Sequence, residues 1–141
     1  MIAVVRIKGQ VKLNRDVIET LDRLRVRRKY VAVVFVKPTK EQIGMINAVR
    51  NFVAYGDINE ETFKRLVESR GQLIDKNKKT DLKKVSEEIW KGKKYEEANL
   101  KPFFRLHPPR GGIDTKLHFG RGKGVLGDNK EKINELIMRM L

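Results

Sequence analysis

The sequence of 141 residues contains no cysteine and only 2 histidines. The lack of cysteine excludes disulfide bonds, thiolate metal sites and cysteine nucleophiles. No metal-ligating residues cluster in sequence around His107 or His118, so we expect no metal, no cofactor and no catalytic site. No hydrophobic run is long enough to cross a membrane, and the opening MIAVVRIKG carries charge too early for a signal peptide. We therefore expect a cytoplasmic protein with no membrane partner.

Acidic residues are scarce relative to basic ones. The chain has 18 Asp and Glu against 32 Lys and Arg, a net charge of +14. Such an excess favours a polyanionic partner, because each neutralised phosphate releases condensed counterions. Hydrophobic residues make up 40% of the chain, which suits a folded core and not a disordered basic tail. The composition indicates a folded basic domain that binds nucleic acid.

The first part of the chain alternates between strand and helix patterns. Tyr30–Val36 is a continuous β-branched and aromatic run, which is typical of a strand. The pattern predicts a small α+β unit, β-α-β-α-β, with one face of its sheet covered by two helices. Its elements are a strand at Ile2–Lys8, a helix capped by Asn14, the strand at Tyr30–Val36, a helix capped by Thr39 and a strand at Phe52–Tyr55 that stops at Gly56-Asp57.

The helix after Thr39 carries two specific signals. Thr39 followed by Gln42 matches a capping box, in which each side chain bonds the other residue's backbone N–H. Gly44 lies inside this helix and costs about 1 kcal/mol relative to alanine. It permits close approach of another backbone or of a nucleic acid, or tight packing against the sheet, and the sequence favours the packing.

The second part of the chain predicts helices separated by a weakly patterned segment. Residues 94–127 hold few periodic signals, and we interpret residues 101–127 as an irregular, ordered basic strap pinned by Phe103 and Phe104. The run Gly122–Gly127 matches G-x-G-x-x-G, but it lacks the βαβ unit and the acidic residue about 20 positions later that a dinucleotide site needs. The predicted elements are a helix capped by Asn59, a helix starting at Thr80-Asp81, a short strand at Lys116–Phe119 and a closing helix capped by Asp128.

Two basic stretches are candidates for contact with nucleic acid. Arg27, Arg28 and Lys29 form a turn of adjacent cations, which is either a solvated loop or a phosphate contact. In the strap, glycines beside arginines at Arg110–Gly112 and Gly120–Gly124 let backbone amides approach phosphates, and interleaved rings can stack on unpaired bases. A solvated, mobile loop is the alternative for the strap, and its apolar anchors favour ordered RNA contact.

Four stretches of the chain resemble the large-subunit ribosomal protein thirty family, in its archaeal and eukaryotic branch, whose eukaryotic member is numbered seven. They are GMINAVRNFVAYG at Gly44–Gly56, RGG at Arg110–Gly112, HFGRGKG at His118–Gly124 and INELI at Ile133–Ile137. The basic arm that precedes the first strand of the eukaryotic proteins has no counterpart here, so we expect an archaeal member.

The resemblance implies a division of the chain and a role. Residues 1–57 correspond to a core with a three-stranded antiparallel sheet in the order 3-1-2, and residues 58–141 to a helical extension packed on it. The implied function is structural: a monomer within the large (50S) subunit, where it binds large-subunit rRNA near the 5S RNA, beside neighbouring ribosomal proteins. Tyr30–Val36 is apolar on both faces, so something outside the core, such as the extension, must cover this strand.

The residues expected to contact RNA lie in four parts of the sequence: the first basic turn, the Thr39 helix start, the end of that helix and the strap. They are Arg27, Arg28, Lys29, Lys37, Thr39, Lys40, Arg50, Arg105, Arg110, Gly111, Gly112, Lys116, His118, Arg121 and Lys123. A helix N-terminus such as that at Thr39 favours phosphate through its free amides and dipole. A free-standing, non-specific RNA- or DNA-binding protein is the alternative function, and an RNA-modifying enzyme is a third class.

Overall fold

The computed structural model describes residues 1–9, 13–112 and 124–141, together with the backbone of residues 115–118. Helices and strands alternate through the first half, and short strands interrupt the second half. The strands are β1 (Ile2–Arg6), β2 (Val31–Phe35), β3 (Val53–Asp57), β4 (Phe104–Arg105), β5 (Thr115–His118) and β6 (Gly124–Asp128). The helices are α1 (Arg15–Arg23), α2 (Lys40–Ala48), α3 (Glu60–Arg70), α4 (Leu82–Trp90) and α5 (Ile133–Met140), the last preceded by a 3₁₀ turn at Lys130–Lys132.

The described strands form one sheet in the order β4-β2-β1-β3-β6-β5. β1 is antiparallel to both of its neighbours: Val5 lies opposite Ala32 of β2 and opposite Ala54 of β3. The order 3-1-2 expected for the first three strands is therefore confirmed, as is the β-α-β-α-β sequence of elements.

The second half of the chain supplies the outer strands. β4 pairs with the free edge of β2, where Val31 lies opposite Arg105, and β6 runs parallel to β3. The prediction of an irregular strap is thus wrong at Phe104–Arg105 and at Gly124–Asp128, which are strands. The predicted strand at Lys116–Phe119 corresponds to β5, with Phe119 outside the described residues. β2 is apolar on both faces because Ala32 and Val34 enter one core while Val31 and Val33 enter the other; β4 covers its edge.

Helices cover both faces of the sheet. Val4, Leu21 and Ile46 belong to the core between the sheet and the helices α1 and α2, which confirms that two helices cover one face. Val5, Phe63 and Ile137 belong to the core on the other face, where α3, α4 and α5 pack. Alternate residues of β1 therefore enter different cores, as the two-residue period of a strand requires.

Local signals set three of the helix starts. Thr39, Asn59 and Asp81 each accept a capping bond from a backbone amide, whereas Asn14 occupies the N-cap of α1 without a side-chain capping bond. The Thr39 hydroxyl accepts from the Gln42 amide at 3.2 Å, and the Gln42 side chain accepts from the Thr39 amide at 3.0 Å, so the capping box is confirmed. Asp128 does not cap the closing helix: its carboxylate accepts from the Lys130 amide within the 3₁₀ turn. Gly44 is exposed and has open space where a Cβ would stand, so its expected packing against the sheet is wrong.

Candidate nucleic-acid interface

The connection between α1 and β2 carries three exposed cations. Arg27, Arg28 and Lys29 follow one another in a turn whose ends have left-handed backbone, with φ of 67° at Arg25 and at Tyr30. The Lys29 ammonium lies 5.0 Å from the centroid of the Tyr30 ring. Left-handed residues reverse the chain sharply, so the turn presents its side chains to solvent.

A buried arginine braces this turn from beneath. Arg6 is only 2% exposed, and its guanidinium donates to the carbonyls of Val26 at 3.0 Å and Arg27 at 2.7 Å. It also donates to the carbonyl of Lys8 at 3.0 Å. Burial lowers the pKa of Arg6 and the nearby Asp22 carboxylate partly offsets this; because an arginine pKa lies so far above neutrality, the group stays charged. Arg6 therefore turns the carbonyls of the loop inward.

The strand β4 brings a third arginine beside this turn. Because Arg105 lies opposite Val31, the first residue of β2, the Arg105 side chain joins those of the α1–β2 turn. Together they surround a groove of about 500 Å³ with apolar surface from Val31 and Phe103. We call this the arginine groove; its charged residues are Asp22, Arg23, Arg25, Arg27, Arg28 and Arg105.

The charges in the arginine groove are only partly compensated. Arg23 pairs with Glu19 at 2.7 Å on the surface of α1. Arg25, Arg28 and Arg105 form no ion pair with any acidic side chain in the described part of the chain. Arginine carries donors and no acceptor. The groove is thus a concave, electropositive surface suited to phosphate.

A second basic groove adjoins the first. It encloses about 600 Å³, and Arg25 lines both grooves. Its other cations are Lys37, Lys93 and Lys94, of which Lys93 pairs with Glu88 at 2.9 Å. Through Arg25, the expected contact Lys37 belongs to the same basic surface as the α1–β2 turn.

The start of α2 lies directly after Lys37. Thr39 and Lys40 are exposed, and the capping box uses the amides of Thr39 and Gln42. Among the described residues, the amides of Lys40 and Glu41 have no acceptor. This helix end can therefore still receive an anion.

The RGG turn is held by the closing helix. Gly111 and Gly112 have φ of 81° and 74°, values that glycine adopts without strain. Arg139 of α5 donates to the carbonyls of Arg110 and Gly112, and the Arg110 amide donates to the Arg139 carbonyl at 3.0 Å. α5 packs on the sheet face opposite to α1. The RGG turn therefore belongs to a different surface from the arginine groove.

The remaining expected contacts fall into three places. Arg50 is exposed just after α2. Burial and the Asp128 carboxylate raise the pKa of Tyr55, and the nearby Arg50 guanidinium partly offsets this. Lys116 and His118 lie in β5, of which the structure describes the backbone. Arg121 and Lys123 lie outside the described residues.

The structure adds residues to those expected from the sequence. Arg23 and Arg25 line the arginine groove, Phe103 contributes its apolar wall, and Arg6 and Arg139 hold the two turns. The clustering of Arg23, Arg25, Arg27 and Arg28 in sequence was the available signal. No sequence signal indicated the contacts by which Arg6 and Arg139 hold the two turns, because their acceptors are backbone carbonyls from distant segments.

Neither a membrane span nor a metal cluster occurs in the described part of the chain. None of its helices combines the length and the apolar character needed to cross a membrane. No group of three or more histidine, aspartate or glutamate side chains within it is arranged to hold a metal ion.

Known proteins resemble this chain over nearly its whole length. The family described as ribosomal protein L30p/L7e matches residues 2–53. The large ribosomal subunit protein uL30 of Archaeoglobus fulgidus is 39% identical, with 99% of both chains covered. The uL30 proteins of Aeropyrum pernix (35% identical, 99% of this chain and 98% of the relative) and Methanosphaera stadtmanae (34%, 100% of both) are similar. With such coverage and identity to archaeal relatives, the chain belongs to the L30p/L7e family of ribosomal proteins.

Proposed function

We propose that this protein is a structural constituent of the large ribosomal subunit and that it binds large-subunit rRNA. The observation that carries the proposal is the arginine groove, where five arginines face a single aspartate. The relatives are named as proteins of the large ribosomal subunit, which supports the same assignment. The role is structural and not catalytic, and its place is the ribosome in the cytoplasm.

The arginine groove and the second groove would form the principal RNA surface. Arg27, Arg28 and Arg105 contact phosphates in the first groove, and Lys37 extends the contact into the second. Lys29 follows Arg28 in sequence, and Thr39 and Lys40 follow Lys37 at the start of α2; we include them in the same proposed surface. Since Arg6 turns the loop carbonyls away from this surface, the turn offers phosphate its cations without opposing oxygen dipoles.

The other expected residues would contact RNA at separate points. The RGG turn, with Arg110, Gly111 and Gly112, lies beside the end of α5, and Arg50 lies beside β3. Lys116, His118, Arg121 and Lys123 belong to the same proposal on the evidence of sequence alone. Contacts at separate points of a rigid body recognise the shape of a folded RNA and are less suited to recognise a short base sequence.

The two parts of the chain would have different roles on the ribosome. Residues 1–57 act as the orienting core, while the strap at residues 101–127, within the extension of residues 58–141, and the helix termini mould to RNA. The position is near the 5S RNA, in contact with neighbouring ribosomal proteins, and the protein is a monomer within the subunit.

A competition experiment tests the proposed function. The protein is titrated against labelled large-subunit rRNA at several salt concentrations, with an excess of transfer RNA as competitor. Binding to a shaped rRNA site should survive the competitor and moderate salt. If the competitor displaces the protein from rRNA as readily as unlabelled rRNA does, the protein is a general polyanion binder and the proposal is wrong.

A further inference from the structure

We propose that the arginine groove receives one unpaired RNA nucleotide, with its base against the ring of Phe103 and its phosphates on the surrounding arginines. This inference rests on the proposed function and specifies what the groove binds. The groove is open to solvent and has room for such a group, at about 500 Å³. Pockets that bury small organic ligands have volumes of about 300–1,000 Å³.

β4 fixes the geometry of the apolar wall. Phe103, which directly precedes β4, lies on the same side as Arg105, two residues further on, and the fully buried Phe104 anchors the opposite face. Phe103 packs against the core between the sheet and α1, and the rest of its surface lines the groove. The Arg105 guanidinium carbon lies 6.0 Å from the ring centroid. A planar aromatic ring and a planar guanidinium are the two groups on which nucleobases stack.

The composition of the groove favours an unpaired nucleotide over the outside of a duplex. A duplex presents mainly phosphates, and a convex or flat array of cations is sufficient to bind them. Here the cations stand around an apolar wall formed by Phe103 and Val31, which contributes nothing to phosphate binding. An unpaired base supplies the flat apolar surface that such a wall can cover. Asp22, the acidic residue of the groove, adds an acceptor for a base N–H group.

Other described aromatic residues lack this combination. Trp90 of α4 packs against Phe63 of α3, with ring centroids 5.9 Å apart. Phe52 has a cation near its ring, the Lys8 ammonium at 5.7 Å, and packs on the same core as Phe103. Phe52 does not line the arginine groove, which makes it a matched control for Phe103.

The test compares Phe103→Leu with Phe52→Leu, which both retain apolar bulk and lose an aromatic ring. Large-subunit rRNA is probed with dimethyl sulfate and with a carbodiimide, which together report on unpaired bases of all four types. Wild-type protein should protect one unpaired base, and Phe103→Leu should restore the reactivity of that base. Affinity should fall about 5- to 150-fold, the range for loss of one stacked base, and Phe52→Leu should leave both readouts at the wild-type level.

The outcomes separate this inference from the proposed function. Protection of the same bases by wild-type protein and Phe103→Leu, with equal affinity, would overturn the nucleotide site and leave rRNA binding intact. If wild-type protein fails to bind rRNA, the proposed function itself fails. Should Phe103→Leu not fold, Phe103→Met removes the ring with a more adaptable apolar side chain; unchanged affinity and base protection in that variant would also overturn the inference.

Discussion

Replacing Arg28 and Arg105 by glutamine tests whether the arginine groove carries the RNA contact. The two residues are exposed and have no acidic partner among the described residues, so each is available for one phosphate. Removing two arginine–phosphate pairs with an unpaired strand should reduce the slope of log affinity against log salt by about 1.4. A fourfold rise in salt concentration should therefore weaken wild-type binding about sevenfold more than binding by the double variant.

A matched control removes the same charge elsewhere. Lys64 and Arg65 lie on α3, on the opposite side of the sheet, and pair with Glu60 at 3.3 Å and Glu61 at 3.5 Å. Their double replacement by glutamine should leave the salt slope at the wild-type value. The measurement is a filter-binding or fluorescence titration against large-subunit rRNA at four or more salt concentrations. Equal slopes for the groove variant and the wild-type protein, or equal losses in both double variants, would refute the argument, because only net charge would then matter.

Four further predictions concern stability, measured by urea titration. Arg6→Met should lower the free energy of unfolding by about 3 kcal/mol, because it leaves buried carbonyls without their charged donor. Gly56→Ala should lower the free energy of unfolding by about 1–3 kcal/mol, because the added Cβ would overlap the Lys130 carbonyl oxygen. Gly44→Ala should raise the free energy of unfolding by about 1 kcal/mol, because the position on α2 has open space for a Cβ. Burial raises the pKa of Tyr95 above its ordinary value of 10.0, so stability should decline above about pH 10 as the unfolded tyrosine ionises, and Tyr95→Phe should reduce that decline.

Each of these predictions has an outcome that would contradict it. An unchanged free energy of unfolding in Arg6→Met would mean that the α1–β2 turn does not depend on the hydrogen bonds of the buried Arg6. Unchanged stability in Gly56→Ala would show that the 3₁₀ turn shifts away from β3 at no cost. Lower stability in Gly44→Ala would mean that another group packs against this position of α2. For Tyr95, the same alkaline decline in wild-type protein and Tyr95→Phe would assign the effect to other groups.

Local signals were sufficient for the helices and strands of the first half of the fold, but not for the order of its strands. The Thr39–Gln42 capping box, the apolar run of β2 and the alternation of β1 each depend on neighbouring residues, and the structure has all three. The family resemblance supplied the strand order, since β2 is apolar on both faces and by itself suggested a central position. The second half of the chain resolves this conflict, because its helices cover the second face of β2 and β4 pairs with its other edge.

Distant pairing is what the sequence did not reveal. β4 has two residues and β6 is glycine-rich, so neither has an intrinsic strand pattern; each forms because a partner strand offers free backbone groups. The arginine groove has the same origin. Arg28 and Arg105 are far apart in sequence and meet because β4 pairs with β2. The burial of Arg6 in β1 has the same origin, because it depends on hydrogen bonds to the carbonyls of Val26 and Arg27, about 20 residues away in sequence.

Co-sedimentation with ribosomal subunits tests the central claim most directly. Tagged wild-type chain and the Arg28→Gln/Arg105→Gln variant are added to a cell extract, which is separated on a density gradient after a wash in moderate salt. We predict that the wild-type chain migrates with the large subunit and that the variant is released at lower salt. Wild-type chain found free at the top of the gradient, or spread over both subunits and transfer RNA, would contradict the assignment to the large ribosomal subunit.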